Sequence, residues 1–127
     1  MKIKKLYEDR ELVEMAIVGN FEPKYTVRIY QDGPTPHFHI DNDQTGEHCC
    51  VKICSAEYFN HKPGMTEFLT SKLKKSLVKW LKSNSDEFAV LNLNLTVYQN
   101  ICILWNQNNP DWKLDKIPEM PNYLEIK

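Results

Sequence analysis

Glycine is scarce, four residues in 127, and none stands in a loop of the kind that cradles phosphate, which excludes a P-loop or a dinucleotide-binding turn. Long apolar runs are missing too. None approaches the ~20 residues that span a bilayer, and the opening Met1-Lys2-Ile3-Lys4-Lys5 has no apolar signal region, so a cytoplasmic protein away from membranes is expected. Charge of one sign is not in excess. The formal net charge is −1, so the chain has no global field for nucleic acid or an anionic surface, and such binding would need a local patch. The four cysteines, Cys49, Cys50, Cys54 and Cys102, lack the loop-spaced framework of small secreted domains and read as reduced thiols. No repeat, linker or charge block divides the chain, so residues 1–127 are read as one domain.

What is there is periodicity. Between Glu8 and Val18, Leu12, Val13, Ala16 and Ile17 share one helical face, and Gly19-Asn20 follows as a stop, which predicts a short N-terminal helix. From Tyr25 the period becomes two. Tyr25 to Tyr30, His37 to Ile40 and Cys49 to Cys54 alternate between turns at Asp32-Gly33-Pro34 and Asp41 to Gly46, predicting a three-stranded antiparallel meander. Pro63-Gly64 then breaks the chain before a helix from Thr66 to about Ser83. Its apolar stripe is Leu69, Leu73, Leu77, Trp80 and Leu81, with Lys72, Lys75, Lys79 and Lys82 on the opposite side. Phe88 to Thr96 alternates again as a further strand or an extended segment, Val97 to Gln107 reads as another helix, and the apolar residues after Asp111 are expected to lie over the core. The predicted fold is α+β, a three- to four-stranded antiparallel meander packed against two or three helices. Trp80, Trp105 and Trp112 are assigned to its core.

Pro36-His37-Phe38-His39-Ile40-Asp41 carries the strongest chemical signal. On a strand, period-two geometry turns His37, His39 and Asp41 to one face, and imidazoles with a carboxylate are donors suited to zinc or iron. His48, Cys50, Cys54 and His61 are close enough in sequence to supply a fourth ligand. The predicted metal set is His37, His39, Asp41 and Cys50, for a divalent transition metal, against the reading of polar alternation on a solvated face without cofactor. Asp41-x-Asp43-x-Thr45-Gly46 has the opening spacing of a calcium loop, but Lys52 stands where the bidentate glutamate belongs, so an Asx-rich turn is expected. Cysteine nucleophile chemistry near His48 and His61 competes with plain packing.

Three histidine-bearing families are set aside on their residues. A histidine-triad hydrolase needs a third alternating histidine where Asp41 stands, a cupin needs a nearer glutamate than Glu47, and a metallo-β-lactamase needs histidine where Asn42 stands. The run Val27-Arg28-Ile29-Tyr30-Gln31-Asp32-Gly33-Pro34-Thr35-Pro36-His37-Phe38-His39-Ile40 resembles the Pro-Pro-His-Phe-His signature of a small bacterial family. Asp32, Pro36, His37, Phe38 and His39 match, whereas Gly33 replaces a histidine and Thr35 a proline. The resemblance covers about Thr26 to Cys54. It implies a shared fold and a mobile-element or toxin–antitoxin setting.

Without a committed catalytic motif, the expected function is a non-enzymatic interaction protein, encoded by a phage or mobile element, that binds another protein and is compatible with self-association. Two alternatives stand beside it: a metal site at His37 and His39, as in a hydrolase, and a nucleic-acid binder using Lys72, Lys75, Lys79 and Lys82.

Overall fold

The computed structural model describes residues 3–8, 11–22, 24–84 and 94–126. Its elements run β1 (Ile3–Glu8), β2 (Glu11–Phe21), β3 (Tyr25–Tyr30), β4 (His37–Asn42), β5 (His48–Lys52), α1 (Ser71–Lys82) and α2 (Val97–Asn108), followed by single 3-10 turns at Pro110–Trp112 and Tyr123–Glu125. The five strands form one antiparallel sheet in sequence order, so the α+β meander architecture stands.

The expected N-terminal helix is corrected to strand. Leu12, Val13, Ala16 and Ile17 satisfy helical spacing, but the segment extends as β2 and pairs with β3 in the register Ala16↔Ile29 and Ile17↔Arg28. A register shift between Ile17 and Gly19 lets the strand continue through the glycine expected to end it. Pairing on both sides and full burial of Ala16 and Val18 outweigh a weak helical pattern rich in β-branched residues.

Alternation places Val27, Ile29, Phe38, Ile40, Cys49 and Val51 in the core, with Leu77 and Leu81 of α1 and Ile101, Leu104 and Trp105 of α2. The helix expected from Thr66 starts later because Thr70 caps it, its hydroxyl accepting from the Leu73 N–H at 3.2 Å. Thr96 and Gln99 form a reciprocal capping box on α2. Lys72, Lys75, Lys79 and Lys82 are exposed on the outer side of α1, as the stripe requires. The strand expected over Phe88 to Thr96 lies, up to position 93, outside the described residues; Asn94 and Leu95 form a turn leading into Thr96. The C-terminal stretch does cover the core. Tyr123 is fully buried, and its hydroxyl donates to the Ile53 carbonyl at 2.7 Å.

The three tryptophans divide. Trp105 is buried, Trp80 is half-buried against Phe21, and Trp112 is 50% exposed, which corrects its assignment to the core. Trp112 instead lies on Gly33, where an added Cβ would fall 1.9 Å from the indole Cδ1. Gly33→Ala therefore displaces the indole or the loop, and is expected to cost about 1–3 kcal/mol in a denaturant titration. An unchanged midpoint would mean that Trp112 does not depend on this contact.

Candidate metal centre

The site is built where β3, β4 and β5 meet the two loops that leave them. His37 and His39 alternate on β4, and the register sets His39 opposite Cys50 and next to Arg28. After β5 the chain turns back, with Val51 bridging to Tyr58 and the Phe59 N–H donating to the Cys50 carbonyl at 2.8 Å. This return carries His61 over the histidine face, its ring stacked on Phe59 at 4.4 Å. From the other side comes the loop after β3. Its anchor is Asn109 at the end of α2, whose Oδ1 accepts from the Asp32 N–H at 2.8 Å and whose Nδ2 donates to the Tyr30 carbonyl at 3.0 Å.

His37, His39, Cys50 and His61 consequently bring four ligand atoms within 4.8 Å of one another, a cluster that could hold a metal ion. His37, His39 and Cys50 are buried and His61 is half-buried. Asp32 completes the arrangement. Its Oδ2 lies 3.1 Å from Nε2 of His37, 3.4 Å from Nε2 of His39 and 3.1 Å from Nε2 of His61, with the Lys62 ammonium at 3.8 Å. Three imidazole nitrogens thus face one carboxylate oxygen.

The far sides of two rings fix their orientation. His37 Nδ1 is 2.6 Å from the Thr35 carbonyl and His61 Nδ1 is 3.1 Å from the Phe59 carbonyl. A carbonyl only accepts, so each Nδ1 donates to it, while each Nε2 lies at hydrogen-bond distance, 3.1 Å, from the Asp32 carboxylate. His39 Nδ1 lies 3.2 Å from Cys50 Sγ, while its buried Nε2 forms no hydrogen bond among the described residues. Burial pushes the pKa of His39 down, which keeps it in the neutral, ligating form. Burial opposes ionisation of Asp32, but its contacts to His37 and His39 and the charge of His37 and Lys62 hold its carboxyl well below the usual range. Three Nε2 atoms around one carboxylate oxygen form a donor set that a cation can occupy in place of the ring protons.

Asp41, expected as the third ligand, sits elsewhere. Arg28 on the neighbouring strand draws its carboxylate to 2.7 Å, so Asp41 lines the adjoining cleft and Asp32 supplies the carboxylate that faces the imidazoles. The calcium-like loop is the Asx turn it was expected to be. Asn42 Oδ1 accepts from the Gln44 and Thr45 N–H groups, and Asp43 is taken up by Thr26 and Arg28. Burial raises the thiols of Cys49 and Cys50 far above their ordinary value, the opposite of what a nucleophile requires. Spacing does not single out Asp32 as a ligand, since four residues and a turn separate it from His37. The resemblance to the Pro-Pro-His-Phe-His signature, which includes Asp32, held the signal.

Beyond the cluster lies a cleft of about 410 Å³ lined by Tyr30, Gln31, Asp32, His39, Asp41, His48 and Lys62. Phe59 and Trp105 pack against the cluster, their rings 5.0 and 5.4 Å from that of His37. Among the described residues no helix is long and apolar enough to cross a membrane. Comparison with protein-family models, curated proteins and solved structures finds no match to this chain, so function has to be read from the side chains themselves.

Proposed function

We propose that this domain binds one divalent transition metal, zinc or iron, through Nε2 of His37, His39 and His61 and the carboxylate of Asp32, with one side of the ion turned to the cleft. The supporting observation is the convergence of three Nε2 atoms at 3.1–3.4 Å on a single carboxylate oxygen. Donors held ~2.0–2.1 Å from an ion are separated by ~3.3 Å when it is four-coordinate and ~3.0 Å for neighbours in a six-coordinate shell. The separations of the three Nε2 atoms from Asp32 Oδ2 fall in this range. The carbonyl partners of His37 and His61 are the outer contacts that orient metal-binding imidazoles, and Cys50 serves His39 in the same way. A bound ion would polarise a ligand or water on its cleft side. This reading displaces docking of a macromolecule through Lys72, Lys75, Lys79 and Lys82, because those side chains are merely exposed, whereas the histidine cluster is oriented on both edges of its rings.

The test is elemental analysis of the full chain purified without a metal-affinity tag, followed by zinc titration under chelator competition. Close to one equivalent is expected, and metal at 100-fold its dissociation constant stabilises the fold by about 2.7 kcal/mol. Substoichiometric metal together with a chelator-insensitive melting curve would refute the site.

A further inference from the structure

The cleft next to the cluster has a charge pattern that changes with the ion. Asp32 and Asp41 carry negative charge into it and Lys62 positive, with His48, Tyr30 and Gln31 also on the lining. Asp41 is held by Arg28. With Asp41 neutralised by Arg28, Asp32 and Lys62 balance each other when no ion is bound; a divalent ion at Asp32 makes the lining net positive. Lys62 is 57% exposed and stands 3.8 Å from Asp32, on the cleft side of the cluster. Once Asp32 is engaged by a metal, this ammonium is left beside a site of excess positive charge. A cleft of about 410 Å³ is the size of a small-molecule site.

We propose that the metal-loaded cleft binds a small oxyanion, a carboxylate or a phosphate, between the ion and Lys62. This inference rests on the metal reading above. One anionic oxygen faces the ion, and another accepts from the Lys62 ammonium. The metal is a condition of binding, since without it the Asp32 carboxylate offsets the Lys62 ammonium and leaves no excess positive charge for an anion, and by linkage the anion must tighten metal binding by the same factor.

Calorimetric titration of the full chain with inorganic phosphate and, separately, with acetate, at constant ionic strength, tests it. In the metal-loaded protein at least one of the two should bind ~10-fold or more tightly than in the metal-free protein, and Lys62→Gln should weaken that binding ~10-fold. Lys62→Arg should restore most of it, and metal stoichiometry should be unchanged in both variants. Binding of acetate alone assigns a carboxylate, binding of phosphate alone assigns a phosphate, and either supports the proposal. Equal anion affinity with and without metal, no anion binding by the metal-loaded protein, or no effect of Lys62→Gln overturns it while leaving the metal site standing. A chain that takes up no metal overturns both.

Discussion

His39→Ala and Asp32→Ala are each expected to weaken zinc binding by more than ~100-fold, the upper end of what loss of an outer contact costs, because each removes a donor facing the ion. The two act differently on the fold. His39 is 6% exposed, and its removal opens a small space beside Tyr30, whose ring meets it edge-on at 4.6 Å. Asp32 is partly exposed, so its loss should leave the metal-free protein folded. Cys50→Ser supplies the contrast. If Cys50 acts behind His39, the cost is only ~10-fold and the cobalt-loaded protein shows no thiolate charge-transfer band. A loss matching that of His39→Ala, with such a band in the parent protein, would move Cys50 into the coordination shell in place of Asp32. Competition with a chromophoric chelator measures all three variants.

Trp105→Ala is expected to destabilise the domain by about 3–5 kcal/mol, lowering the thermal midpoint by on the order of 10–20 °C. The indole is fully buried in the core, and its Nε1–H donates to the Trp112 carbonyl at 2.9 Å, tying the segment after α2 back to the helix. It also flanks His37 at 5.4 Å, so metal affinity should fall together with stability. Trp105→Phe retains most of the apolar contact and loses the hydrogen bond, for a cost of about 1 kcal/mol. Equal losses for the two variants would mean that the hydrogen bond, not the packed indole, dominates.

Much of the architecture was legible before any coordinate. Alternation from Tyr25 to Lys52 and the turn residues between its runs describe β3 to β5, because period-two burial leaves a direct mark on composition. The leucine stripe of α1 is equally plain. The N-terminal segment misled because four apolar residues fit a helix face, while the pairing with β3 that decides the matter is made with residues further along the chain and leaves no mark within the segment itself. Thr70 and Thr96 were legible as caps only once the helix starts were known.

The site was half visible. His37 and His39 declare themselves because adjacent odd positions on one strand must share a face, and that is fixed by backbone geometry alone. Cys50 follows from the hairpin register that sets it opposite His39. The remaining members come from loops, where spacing has no period. His61 reaches the cluster through a chain reversal bridged at Val51 and Tyr58, and Asp32 through the clamp of Asn109, 77 residues away. The removal of Asp41 is likewise a tertiary event, settled by the position of Arg28 across the sheet. The sequence by itself determined the pleated frame and the side on which two imidazoles emerge, since those depend on neighbours one or two residues apart. Only the folded chain decided which carboxylate meets them and that a third imidazole joins, because ligand convergence depends on distances between segments, and no local preference encodes those.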